Sequence, residues 1–134
     1  MEEIFVKIGE LSKKSGSSVQ TIRFYEKEGI LSKPERSEGN FRLYGNKTLK
    51  ELVFVKHCRS LDISLTDIKQ LIELKNKPKE SCAGINKLIE HQLDLVNQRM
   101  KELKALKTDL QQMVNSCTTE KTIEACGIIK SLDS

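Results

Sequence analysis

The strongest constraint on how this chain folds is a seven-residue ruler in its C-terminal half. Ile89, Val96, Leu103 and Leu110 recur every seven positions, and Leu93, Met100 and Val114 each follow by four, with Lys107 interrupting the second series. That pattern lines apolar side chains along one seam of an α-helix. Neither Pro nor Gly occurs between Gly84 and Gly127, so nothing in the backbone ends the helix early. A lone helix in water cannot bury such a seam. The pattern therefore predicts a coiled coil with a partner helix.

One further step of the ruler in each direction lands on Cys82 and Cys117. At about 1.5 Å per residue these two sulfurs are separated by roughly 50 Å along one helix and cannot share a ligand within one chain. In a two-fold antiparallel pair the partner subunit's Cys82 meets Cys117, once at each end. Cys126 follows after a polar segment, residues 118–125, long enough to loop back. Three sulfurs can then converge: Cys117 and Cys126 from one protomer and Cys82 from the other. Convergent thiolates select soft cations. Protons compete with the ion, since a thiol of pKa about 8.5 must ionise to ligate.

The start of the chain lacks a basic stretch followed by an apolar one, and no apolar run is long enough to span a bilayer. No export signal or membrane span is expected. This points to a cytoplasmic, reducing setting, where four cysteines stay as thiols rather than forming a disulfide framework. Cys58, within a helical pattern, reads as a small buried hydrophobe. His57 and His91 read as ordinary surface or partly buried residues, with His91 the accessory-ligand candidate. There is no C-x-x-C and no phosphate-cradling Gly loop, so an enzyme reading has little to stand on. An aromatic fraction of 4% without Trp, against 31% charged residues, suits helices with exposed faces better than a large sandwich core.

The N-terminal third predicts two short helices around a turn. Ile8, Leu11 and Ser12 share one helical face, residues 15–17 break it, and Ser18 is placed to cap a second helix from Val19 to Glu28, ended by Gly29. This is helix-turn-helix spacing. Val19 and Ile22 point inward, leaving Gln20, Thr21, Arg23 and Tyr25 to meet phosphates or base edges. Residues 34–45 predict a β-hairpin with Gly39 in its tight turn, a wing that carries Arg36, Arg42 and Tyr44. Asn46 is placed to cap a third helix with Leu49, Leu52, Val53 and Lys56 on one face. Ser64 and Asp67 open a fourth helix with Leu65, Ile68, Leu71 and Ile72 inward. Pro78 marks the boundary. The net charge of +4 permits nucleic-acid binding without requiring it.

Taken together, Ile8-Gly9-Glu10-Leu11, Thr21-Ile22-Arg23-Phe24-Tyr25-Glu26, Gly29-Ile30-Leu31, Arg42-Leu43-Tyr44-Gly45 and the cysteine trio closely resemble the MerR family of metal-responsive transcription regulators. The segments 38–44 and 57–62 and the closing Cys126-Gly127-Ile128 look most like its cadmium- and lead-responsive branch. The mercury sensor shares the trio. The resemblance implies a homodimer on double-stranded promoter DNA that untwists and bends the duplex when metal binds, with RNA polymerase as a further partner. It implies Gln20, Thr21, Arg23 and Tyr25 as recognition-helix contacts and Arg36, Arg42 and Tyr44 as wing contacts, with Lys56 and Arg59 reaching phosphates. Cys82, Cys117 and Cys126 are the metal ligands it implies, with Cd(II) or Pb(II) as effector and Hg(II) as rival. Zn(II) is disfavoured, because residues 118–125 hold no His and no second Cys. A thiol redox sensor of the same fold is the other alternative.

The expected architecture is dominated by α-helix. A winged helix-turn-helix DNA-binding domain spans 1–75, a linker 76–80 and an antiparallel coiled-coil dimerisation helix 81–116. A metal-binding loop and tail occupy 117–134.

Overall fold

A computed structural model describes residues 4–117, 119–120 and 122–134. Two helices, α1 (Ile8–Ser15) and α2 (Val19–Lys27), precede a two-stranded hairpin of β1 (Glu35–Arg36) and β2 (Arg42–Leu43). Helices α3 (Asn46–Ser60), α4 (Leu65–Lys75) and α5 (Ala83–Ser116) follow, then a 3-10 turn (Ile123–Ala125) and α6 (Gly127–Asp133). The chain divides into two compact units, Met1–Ile85 and Asn86–Ser134. The division falls inside the first turns of α5, later than the Pro78 boundary expected from sequence.

The first unit closes a core on Val6, Leu11, Ile22, Leu31, Tyr44 and Leu52, with Ile8, Tyr25 and Leu49 packed against it. Gly16 ends α1 in a left-handed conformation (φ 73°) that a side chain rarely adopts. Ser18 then starts α2 as the sequence suggests, its hydroxyl accepting from the Thr21 amide at 3.1 Å. Gly29, also left-handed (φ 76°), lets the chain leave α2 toward Leu31. There the Ser32 amide and hydroxyl both donate to the Glu51 carboxylate, at 2.8 and 2.7 Å, tying this loop to α3. Ser64 caps α4 by accepting from the Asp67 amide at 3.2 Å.

Two local readings need correction. The N-cap of α3 is Gly45, without a side-chain cap, and Asn46 is already helical. The buried stripe of α3 is Thr48, Leu52, Val55 and Cys58, while Val53 is 43% exposed and Lys56 is exposed. Leu49, Leu52, Val53, Phe54 and Val55 place apolar groups all round this helix, so periodicity could not select a face, and the small Thr48 took the inward place. In the hairpin, Gly39 does sit in the turn, but Asn40 carries the left-handed backbone (φ 64°). The turn closes by Asn40 amide to Ser37 carbonyl at 2.8 Å and Ser37 amide to Phe41 carbonyl at 2.9 Å.

In the second unit, 31 residues of a 34-residue helix run on from Asn86. Helix α5 has no buried residue anywhere. Ile89, Leu93, Val96, Met100, Leu103, Leu106, Leu110 and Val114 are all exposed. Among the described residues no helix is long and apolar enough to cross a membrane.

Candidate nucleic-acid interface and thiol cluster

Helix α2 and the hairpin together build a cationic groove. Arg23 and Lys27 from α2, Lys33 from the loop, and Arg36 and Arg42 from the paired strands line it, with Glu26 among them. The strands pair antiparallel, so that Arg36 lies directly opposite Arg42. Arg36 turns back to donate to the Asn40 carbonyl at 3.2 Å, and Arg42 reaches Glu26 at 3.4 Å. A second depression gathers Gln20, Thr21 and Arg59 beside Phe24, Tyr25 and Leu65. The sequence-selected polar residues of α2 therefore fall on two neighbouring sides of that helix rather than on one.

Several of these groups already have partners within the protein. The Thr21 hydroxyl lies 2.8 Å from that of Ser18. Arg59 donates to the Ile63 carbonyl at 2.9 Å. The Lys56 ammonium reaches across the turn between α1 and α2, 2.8 Å from where a Cβ on Gly16 would stand. Tyr25 is half-buried, packed against the core while also lining that second depression.

Tyr44 is the clear correction among the wing residues. It is 1% exposed, its backbone is paired with Val6 through two 2.8 Å hydrogen bonds, and its hydroxyl donates to Glu26. Residues two apart on a strand project to the same face, and α2 lies on the face shared by Arg42 and Tyr44. Burial, reinforced by the Glu26 carboxylate, pushes the Tyr44 hydroxyl up to about 12. Its hydroxyl is committed to Glu26 within the core.

Sequence reasoning missed Lys7, Lys27, Lys33 and Glu26. Lys7 sits 4.5 Å above the ring of Phe41, which is exposed near the hairpin tip. Glu26 and Lys27 share α2 with the selected residues, whereas Lys7 and Lys33 come from other segments that only the tertiary fold brings near.

At the far end of the chain, the Cys117 and Cys126 sulfurs lie 3.3 Å apart, well beyond a disulfide bond. The 3-10 turn brings them together, with the Cys126 amide donating to the Ile123 carbonyl at 3.1 Å. Gly127 packs closely there: a Cβ on it would stand 3.1 Å from the Ser116 carbonyl oxygen. Residues 118 and 121 of the loop lie outside the described residues. Cys82 is exposed one residue before α5, and Cys117 is half-buried one residue after it, so the two thiols bracket the helix. Among the described residues of one protomer, no three ligating side chains gather in one place. Cys58 is buried, and burial raises its pKa, as expected for a packing residue.

Comparison with known proteins places this geometry. Residues 6–75 match the MerR HTH family regulatory protein family, and residues 49–113 match a second family described as MerR, DNA binding. The HTH-type transcriptional regulator ZntR homolog of Haemophilus influenzae is 40% identical over 118 residues, 88% of this chain and 84% of that protein. The mercuric resistance operon regulatory protein of Shigella flexneri is 34% identical, over 93% of this chain and 85% of its own length. The crystal structure of the transcription regulator PbrR691 from Ralstonia metallidurans CH34, in complex with lead(II), is 45% identical with a TM-score of 0.86. That match covers 95% of this chain and 98% of the other. These relatives are transcription regulators, not enzymes, and with the matched helix-turn-helix, wing and long helix they show that the chain belongs to the MerR family of HTH transcription regulators.

Proposed function

We propose that the chain is a heavy-metal-responsive activator of the cadmium and lead type. It acts as a homodimer on promoter DNA, with Cys117 and Cys126 of one protomer and the partner subunit's Cys82 as thiolate ligands. The observation that carries this reading is the 3.3 Å Cys117–Cys126 sulfur contact at one end of α5, with Cys82 at the other end on the same seven-residue ruler.

The donor set fits such an ion. Two thiolates at about 2.3 Å from one tetrahedral centre stand about 3.8 Å apart, and more for a larger cation. A small rotation about the Cys117 or Cys126 side-chain torsions opens the present contact to that value. When bound, a soft cation supplies partly covalent bonds to sulfur. The cysteines then tie the loop after α5 to the start of the other protomer's α5. Because α4 and the first turn of α5 belong to the same compact unit, that tie bears on the DNA-binding head. Differential affinity of one head arrangement for an untwisted, bent duplex couples metal to promoter geometry. RNA polymerase engagement is the downstream partner step in this reading. Lead(II) in the 45% identical structure favours Cd(II) or Pb(II), and the mercuric resistance relative keeps Hg(II) as the rival effector.

Mixed dimers test the shared site. Cys82→Ser and Cys117→Ser homodimers should each lose thiolate-to-metal ultraviolet absorption with cadmium or lead. Co-expressed, they should recover one of two sites, since one end of the mixed dimer carries both substitutions and the other carries neither. Mixed dimers that bind no metal would sink the reading. The contact of Cys117 with Cys126 also favours a second reading, a reversible disulfide in an oxidant sensor. That reading predicts no absorption band at stoichiometric metal and a Cys117–Cys126 crosslink under mild oxidation.

A further inference from the structure

The cationic groove between α2 and the hairpin holds five basic residues and one acid, Glu26. A carboxylate there opposes any polyanion that approaches. Its environment is specific. The Glu26 side chain is only 12% exposed. One of its oxygens accepts from the buried Tyr44 hydroxyl, and the other lies 3.4 Å from Arg42. Tyr44 is in turn held by its two backbone hydrogen bonds to Val6, so the carboxylate is aimed by a fixed donor.

The hydroxyl alone does not require a charge, because a neutral Gln oxygen accepts equally well. The charge serves Arg42. Arg42 faces Arg36 directly across the hairpin, an arrangement in which like charges repel. Arg36 is turned away to the Asn40 carbonyl, and Arg42 is drawn to α2 by Glu26.

The geometry points to Glu26 as a specificity-determining positioning residue: its carboxylate, aimed by the Tyr44 hydroxyl, holds the wing Arg42 against α2, so that a DNA phosphate must displace it. A duplex whose shape presents a phosphate correctly makes that exchange, and DNA of unselected sequence makes it less well. This role rests on DNA binding through α2 and the wing and is independent of which metal the protein senses.

The test uses full-length, metal-free protein with two probes: a duplex enriched by the wild type from a random library, and random-sequence DNA. Glu26→Gln should tighten binding to random DNA about fivefold, the value of one unit charge at about 4 Å in water. The dependence of log affinity on log salt should steepen by about 0.9 per protomer as Arg42 becomes free for phosphate. Affinity for the enriched duplex should gain less, so the ratio of the two falls. In an Arg42→Ala background the same Gln substitution should leave the salt slope unchanged. Equal changes on both probes, an unchanged slope, or a full slope change without Arg42 would each overturn the assignment. Should Glu26→Gln fail to fold, Tyr44→Phe removes the aiming hydroxyl and keeps the charge. It should shift the same quantities in the same direction by less, and no shift overturns the role. A wild type that enriches no duplex would overturn the DNA-binding reading itself, and this inference with it.

Discussion

Leu52 of α3 keeps 1% of its surface exposed, whereas Leu103 of α5 keeps 63%. Both are leucines in helices, and both belong to an apolar stripe. The difference is what stands opposite. Leu52 packs with Leu11, Ile22 and Tyr44 of its own chain; Leu103 lies on a helix with no buried residue among the described residues. Fully burying such a side chain contributes about 1.5–3 kcal/mol, so the head secures its stability internally, while the rod leaves the same gain for association. The comparison teaches that the head closes its core within one chain, whereas the seam of α5 does not, and that open seam is what the proposed dimer would cover.

The largest effect that would break this comparison is expected from charging the seam. Leu103→Lys combined with Leu110→Lys should convert the dimer to monomers in sedimentation and weaken promoter binding about 100-fold or more through lost bivalency. The first unit should keep its own melting transition. A dimer that survives both lysines would place the interface elsewhere.

Truncating the head should act on the other side of the comparison. Leu52→Ala is expected to cost about 2–5 kcal/mol in urea unfolding, with no change in the stoichiometry of thiol-bound metal once the protein is folded. A cost below about 1 kcal/mol would show that the core is looser than its burial suggests.

The smallest effect sharpens the comparison at high pH. The folded-state pKa of Tyr44 is raised from the model-compound value of 10.0 to about 12, first by burial and then by Glu26. The folded state thus holds the proton that the unfolded state releases. This contribution is whole below pH 10 and is lost as pH rises toward 12. Absorbance at 295 nm should show one of the two tyrosines resisting ionisation, and Tyr44→Phe should reduce the loss of stability between pH 10 and 12.

How much was legible depends on whether a feature is written along the chain or across it. Ser18 and Ser64 announced their helices because a cap needs only its own next three residues. The long span of α5 was legible for the same reason, since helical period is a local property. The inward stripe of α3 was not, because apolar groups surround that helix and only the packing of α1 and α2 selects a face. Tyr44 misled because the strand alternation that exposes a wing residue elsewhere here turns both it and Arg42 toward α2. Glu26 and Lys33 join the groove from two segments, and no spacing within either of them signals it.

Gly127 has a consequence for ion size. The Cβ of any other residue would press on the Ser116 carbonyl at 3.1 Å, so that either the end of α5 or the start of α6, next to Cys126, would have to give. In the proposed site, where Cys117 and Cys126 hold the ion, one added methyl is therefore expected to alter the spacing of the two sulfurs and with it the radius of cation that suits them. The selectivity of such a site would then depend in part on a residue that contributes no atom to it.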